Sequence, residues 1–306
     1  MRRLASAAGW LLAAALVPVA SQAQGISAQE GGLSATLAAI KSTHVVKLGF
    51  RESSPPFSFL DQANRPIGYS LELCAAVVDE IGLAVDDANL RIDYVKVTSD
   101  DRIPAVVSKK IDLECGSTTA NFERRKQVAF SPLMFVAGTK LMVAKASTVN
   151  AITDLKGKTI VVTKGTTNEQ AIHAADAKFA LGLKIVAADD HEQSYQMLAD
   201  GKVDAFATDD ILLYGLIAHH KAEAKMKVVG DYLSYDPYGI MFRKDEPELA
   251  AAVERAFRKL ATNHDLLPLY QKWFVARLPT GERLNVPISP QLEESFKVLD
   301  DSGTNN

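Results

Sequence analysis

The chain has 306 residues, with 34 basic and 37 acidic side chains, a formal net charge of −3 and 47% hydrophobic residues. That length fits two domains or one large one, and that apolar content is enough for packed cores. A mildly acidic chain without a basic patch excludes nucleic acid as a partner.

The first residues read as a targeting segment. Arg2 and Arg3 form a positive start, residues 10–20 an apolar run too short for a good membrane span, and Ser21-Gln22-Ala23 a small-residue cleavage site. The mature chain is expected to begin at Gln24. Removing 23 residues and two arginines leaves 283 residues, 32 basic against 37 acidic, a net charge of −5. No cysteine follows the apolar run, which argues against a lipid anchor. No later stretch is long and apolar enough to span a bilayer, so an exported, soluble protein is expected.

Residues 24–42 are small and polar and read as a flexible lead-in with one helical turn near Leu37. Residues 45–50 form a strand that ends in Arg51 and a loop held extended by Pro55 and Pro56. Ser70 caps a helix to about Ile81, with Cys74, Val77, Val78 and Ile81 on one face and Gly82 as its stop. Residues 90–97 alternate as a strand. Thr98, Ser99, Asp100 and Asp101 then cap a short helix from Arg102, a cation that opposes the helix dipole and is either a tolerated surface residue or one held by an anion.

The next stretch, residues 111–124, runs from a short apolar strand through Gly116 into Ser117, Thr118 and Thr119 and on to Arg124 at a helix start. A glycine that lets the backbone approach, hydroxyls that donate and a planar guanidinium make an anion cradle at a strand end; the plain alternative is a capped strand–loop–helix connection. Residues 127–143 are extended and read as a crossing segment. The pattern then restarts with a strand at 159–163 and a second glycine-hydroxyl helix start at Gly165, Thr166 and Thr167, where Thr166 and Glu169 also fit a capping box. A strand at 183–187, His191 at the next helix start, and a strand ending in Asp209 and Asp210 follow. Residues 228–243 form a second crossing, Pro247 starts a helix to about Thr262, and 265–274 a last short one. Residues 277–306 read as a tail.

Two cysteines, Cys74 and Cys115, invite a disulfide in an oxidising compartment, although both also read as buried positions where free thiols are common. Their spacing rules out a paired-cysteine zinc site. Catalytic patterns such as Gly-x-Ser-x-Gly and His-Glu-x-x-His are missing, so no catalytic residue, metal or cofactor is expected. The polar residues worth weighing fall just after predicted strands: Arg51, Ser99, Arg102, Ser117, Thr119, Arg124, Thr166, Thr167, His191 and Asp209. In an open parallel α/β sheet such ends share one crevice. Three arginines suit two carboxylates and one acid suits an ammonium, so the pattern points to a small dicarboxylic amino acid.

The segments GFRESSPPFSF, IGYSLELCAAVVDEIG, TSDDRIPAVVSKKIDLECGSTTANFERRKQVAFS, DLKGKTIVVTKGTTNEQA, DDHEQSY, GKVDAFATDDILL, YGIMFRKD and LYQKWF give the chain a resemblance over about residues 44–275. It resembles the extracytoplasmic amino-acid-binding proteins of importer-associated family 3, in their glutamate/aspartate-binding branch. The resemblance implies a periplasmic-binding-protein-like type II fold: two α/β lobes joined by two crossing strands, with the ligand in the interlobe cleft. It divides the chain into a signal peptide (1–23), a flexible segment (24–43), lobe 1 (44–137), lobe 2 (138–236), a return to lobe 1 (237–276) and a tail (277–306).

The same resemblance gives Arg124 the ligand α-carboxylate, with Thr119 and Thr167 as hydroxyl and N–H partners. It gives Asp209 and Ser117 the α-ammonium, places Arg102, Ser99 and His191 around the side-chain carboxylate, and puts Arg51 where relatives that bind cationic amino acids carry an acid, a charge reversal that makes it the residue most informative about specificity. Ile240 departs from the pattern, standing where some members carry a cysteine that can pair with the one in ECGSTT; if Cys115 is bonded, Cys74 is its only possible intramolecular partner. The implied protein is a monomeric periplasmic receptor for L-glutamate and L-aspartate that closes by a hinge and delivers to the membrane permease of an ABC importer. Two other readings are a periplasmic dehydratase-like enzyme on the same scaffold and a soluble ligand-sensing partner of a chemoreceptor.

Overall fold

The structure is a computed structural model that describes residues 33–304. The expected signal peptide and cleavage site lie outside the described residues. Among the described residues no helix is long and apolar enough to cross a membrane.

Two five-stranded sheets share one topology. The first has the order 91–96, 45–50, 113–114, 241–243, 128–130, and the second 184–188, 159–163, 205–209, 139–144, 226–229. In each, the first three strands are parallel and the fourth runs antiparallel to both of its neighbours. Each sheet is completed by a strand that continues a crossing segment: Phe135–Ala137 leads into Thr139–Ala144 of the second lobe, and Asp236–Tyr238 leads back into Met241–Arg243 of the first. The two crossing strands pair antiparallel with each other. The result is two α/β lobes joined by a two-stranded hinge.

The second sheet is buried on both faces, as helix-covered parallel sheets are. Alternate residues divide between its two apolar layers: Leu141, Val143, Ile160 and Val162 in one, Met142, Val161 and Phe206 in the other. In the first lobe, Cys74, Val77, Val78 and Ile81 of the helix Tyr69–Val85 enter the core as their spacing predicts. Ser70 does not cap that helix, because Gly68 precedes its first residue and the Ser70 hydroxyl donates to Gly116 O at 2.7 Å, and the helix does not stop at Gly82. It runs to Val85 and ends at Asp86 in the left-handed region (φ 57°), while Gly82 O accepts from Asp87 N at 2.9 Å. A Cβ on Gly82 would stand 2.8 Å from Asp87 O, so the glycine serves the returning chain rather than ending the helix.

Both ends of the described chain are more ordered than expected. The lead-in holds a helix, Ala35–Thr43, with Leu37 and Ile40 buried in the core. It is tied to the returning chain by Thr36 Oγ1, which accepts from Arg243 Nε at 2.8 Å, and by Thr36 N, which donates to Glu246 Oε2 at 3.0 Å. Arg243 also donates to Ile111 O at 2.8 Å and Asp112 Oδ1 at 2.9 Å, which pins the last first-lobe strand to its neighbour. The expected tail contains the helix Pro290–Thr304, whose Leu292 and Phe296 join the same core. Two apolar anchors one turn apart are enough to dock each helix, and that signal is weak in a polar composition.

Cys74 and Cys115 form a disulfide, with their Cα atoms 6.2 Å apart, which decides between the two readings of the pair. It fixes the helix Tyr69–Val85 to the chain immediately before Gly116 and Ser117. The bond closes a segment with a sequence separation of 41. Replacing both cysteines by serine is therefore expected to lower unfolding free energy by about 2–4 kcal/mol, read by urea titration. An unchanged midpoint would mean that the cross-link does not restrict the unfolded chain.

Candidate functional site

The strand ends of both lobes face one another across the hinge. From the first lobe, Arg51 follows the strand Val45–Phe50. Its backbone N–H donates to Ser58 Oγ at 2.9 Å, and its guanidinium is 1% exposed with both terminal nitrogens unpartnered. Ser99 is buried with an unpartnered hydroxyl. Arg102, the first residue of the helix Arg102–Val107, is 2% exposed, and its Nη2 reaches Gly165 O at 3.4 Å. Arg124 lies in the short helix Phe122–Arg125, where Asn121 Oδ1 accepts from its N–H at 2.9 Å. Its Nη1 donates to Thr119 O at 3.0 Å and its Nη2 to Gly165 O at 3.2 Å.

From the second lobe, Thr166 caps the helix Thr167–Phe179: its Oγ1 accepts from Glu169 N at 3.1 Å and donates to Thr163 O at 2.7 Å. The Thr166 half of the expected capping box is thus formed while Thr166 also lines the cleft; the Glu169 carboxylate accepts from Gly165 N at 3.1 Å instead of from the N–H of Thr166. His191 is buried, with Nδ1 2.8 Å from Thr163 Oγ1. Asp209, the last residue of the strand Ala205–Asp209, accepts from Asn168 Nδ2 at 2.9 Å and from the Tyr238 hydroxyl. Arg102, Ser117, Thr119, Thr166, Thr167, His191 and Asp209 line one small cavity. Arg51, Ser99 and Arg124 are not among its lining residues; Arg51 and Arg124 both feel the charge of Arg102, and Arg124 bonds to the carbonyl of the lining residue Thr119.

The cleft is shut. Gly165 has φ +70°, and a Cβ there would stand 2.7 Å from Asp100 Cα and 2.9 Å from Ser99 O, across the gap. On the other flank, a Cβ on Gly215 would stand 2.1 Å from Pro55 O. Two glycines therefore set how closely the lobes approach.

The electrostatics are lopsided. Burial, then the neighbouring charge of Arg102, lowers Arg51 to about 10 and Arg124 to about 9, and burial also lowers Arg102. The arginines keep their charge at neutral pH but hold it under strain from desolvation and from one another. His191 is held well below its ordinary value by burial, then by Arg51 and Arg102, so it faces the cleft as a neutral imidazole. Asp209 is raised to about 7, first by burial and next by Asp236. The site can supply several cationic and neutral donors and one acid of adjustable charge.

Four functional neighbours were not singled out in the sequence. Asp236, in the hinge, is 1% exposed and its Oδ1 accepts from Thr119 Oγ1 at 3.0 Å and Thr167 Oγ1 at 2.7 Å, one hydroxyl from each lobe. Tyr238, two residues on and on the same side of the strand, holds Asp209. Asn168 bridges Asp209 to Thr139 Oγ1 at 2.7 Å. Glu114 is fully buried beside the arginines. The available signal was the pairing of Asp236 with Tyr238 at strand period in a crossing segment. Among the described residues no group of His, Cys, Asp and Glu side chains is arranged to hold a metal ion.

Two lobes that shut on a buried, charged cavity about a paired-strand hinge define a two-lobed solute-binding protein. Residues 46–276 match the bacterial extracellular solute-binding proteins, family 3, and the chain belongs to that family. It is 39% identical over 264 residues to an L-glutamate/L-aspartate-binding protein of Pseudomonas aeruginosa, covering 86% of this chain and 87% of that one. It is 33% identical over 296 residues to a glutamate/aspartate import solute-binding protein of Escherichia coli, covering 96% and 97%. Among solved structures, an ancestral arginine-binding protein bound to glutamine superposes with a TM-score of 0.68 at 31% identity, covering 76% of this chain and 98% of that one.

Two outcomes follow from this geometry. Asp236→Ala removes the carboxylate that accepts one hydroxyl from each lobe, that of buried Thr119 and that of half-buried Thr167; the ligand-free protein should lose about 1–3 kcal/mol and widen in small-angle scattering. An unchanged radius of gyration would mean that Asp236 does not hold the lobes together. Raising Asp209 from 3.8 to about 7 means the folded protein keeps a proton that the unfolded chain releases. The associated stability is full below about pH 4 and is lost as pH rises through about 7. The melting midpoint of the wild type should fall between about pH 5 and about pH 8 more steeply than that of Asp209→Asn; parallel profiles would contradict the assignment.

Proposed function

We propose that the protein is a periplasmic receptor that binds L-glutamate and L-aspartate between its lobes and delivers them to the permease of an ABC importer. The observation that carries the ligand class is the cluster of Arg51, Arg102 and Arg124, all buried in one cleft, with guanidinium nitrogens of Arg51 and Arg102 unpartnered. Buried charges are costly unless paired, and a dicarboxylate supplies the missing partners. The relatives named for glutamate and aspartate support the same ligand.

In this reading Arg124 pairs with the ligand α-carboxylate, assisted by backbone N–H groups of Thr119 and Thr167. The hydroxyl hydrogens of those threonines are committed to Asp236. Asp209 takes the α-ammonium with Ser117 beside it, and ligand binding favours its charged form. Arg51, Arg102, Ser99 and neutral His191 surround the side-chain carboxylate. Binding stabilises the shut form because the ligand contacts both lobes at once only there. The receptor acts as a monomer, exported by its first 23 residues, and without turnover of its ligand.

Calorimetry tests the reading. The wild type should bind L-glutamate, and Arg102→Ala should weaken binding by roughly 30-fold or more, about 2–5 kcal/mol, with an unchanged circular dichroism spectrum. Arg51→Asp should abolish binding. Unchanged glutamate affinity in both variants would remove the arginine cluster from ligand recognition.

A further inference from the structure

Glu114 is a carboxylate that the ligand scheme above does not use. It ends the short central strand Leu113–Glu114, which pairs with Val45–Phe50 on one side and Met241–Arg243 on the other. Its side chain is fully buried. One oxygen, Oε2, accepts from Thr118 Oγ1 at 2.7 Å; the other, Oε1, has no partner. That free oxygen lies over the bare Cα of Gly116: a Cβ there would meet Glu114 Oε1 at 2.3 Å and Arg51 Cγ at 2.9 Å. Gly116 is therefore the gap through which the carboxylate and the Arg51 stem pack side by side. For Arg102 this carboxylate is the leading charge that offsets burial, and for Arg51 and Arg124 it is the leading charge that opposes the effects of burial and of Arg102. It forms no ion pair with any of them within 4 Å among the described residues, so it acts through the field and not through a fixed fork.

We infer that Glu114 is the built-in counter-anion of the arginine cluster and sets how strongly the site prefers an anionic ligand side chain. This inference rests on the reading of the site as one for acidic amino acids. With Glu114 present, three cations are partly balanced before any ligand arrives, which lets the ligand-free cleft tolerate them. The same negative charge weakens the pull on a ligand side-chain carboxylate, while an uncharged amide of the same shape is nearly indifferent to it.

The test is calorimetry of L-glutamate and L-glutamine on the wild type, Glu114→Gln and Glu114→Asp. Glutamine at 114 keeps the shape and the Thr118 contact and removes the charge; aspartate keeps the charge. The glutamate-to-glutamine affinity ratio should rise about 5-fold or more in Glu114→Gln and stay within about 2-fold of wild type in Glu114→Asp, a change of about 1 kcal/mol. The ligand-free melting midpoint of Glu114→Gln should also fall. Wild-type protein that fails to bind glutamate defeats the ligand reading. Wild-type protein that binds it, with a ratio unchanged or lowered in Glu114→Gln, defeats the counter-anion alone. Equal weakening of both ligands would mark Glu114 as merely structural.

Discussion

Three guanidinium groups buried in one cleft, none of them ion-paired to a carboxylate among the described residues, are the constraint on which the rest of this structure depends. Removing a charge from water costs several kcal/mol unless a partner replaces the lost hydration. Arg51, Arg102 and Arg124 repel one another, and their forks turn to backbone carbonyls, Thr119 O and Gly165 O, or to nothing. The fold supports this arrangement from outside. The Cys74–Cys115 bond anchors the chain before Gly116, the Arg243 network locks the sheet beneath it, and Ser58 holds the backbone of Arg51. A site kept under electrostatic strain is one that an anionic ligand relieves, and relief available only in the shut form is what couples binding to closure.

Closure itself is a matter of short distances. Gly165 and Gly215 allow backbone to meet backbone across the gap where any Cβ would collide. Between these two flanks Asp236 gathers a hydroxyl from each lobe. Because each sheet borrows its fourth strand from a crossing segment, a rotation at the paired hinge strands moves whole sheets as units. The strand-end residues therefore approach together, and small changes at the hinge are converted into assembly or dispersal of the complete site.

Much of this was legible in the sequence because strand ends in α/β sheets announce themselves. Arg51, Ser99, Ser117, Thr119, Thr167, His191 and Asp209 each follow a short apolar run, and the shared position relative to the strands placed them in one crevice. The helix Pro247–Thr262 also begins at the proline that marked its start in the sequence. What stayed hidden depends on tertiary neighbours. Glu114 and Asp236 look like ordinary charges in short extended segments, and only the fold shows that they are buried among the arginines and threonines. Gly82 carries the usual signature of a helix stop, yet its role is to admit the returning chain at Asp87. The helices Ala35–Thr43 and Pro290–Thr304 dock through a few apolar anchors that polar composition concealed. The cysteine pair could be read either way until the helix Tyr69–Val85 was seen lying against the end of the central strand.

The central claim is that the cleft is completed by a small molecule carrying two carboxylates and one ammonium. A thermal-shift panel across the amino acids tests it most directly, since a ligand that binds only the folded protein raises the midpoint in proportion to its affinity. L-glutamate and L-aspartate should each raise the melting midpoint by several degrees at about 100 times their dissociation constants, and L-arginine and L-lysine should leave it unchanged. Stabilisation by L-arginine, with none by L-glutamate or L-aspartate, would contradict the account.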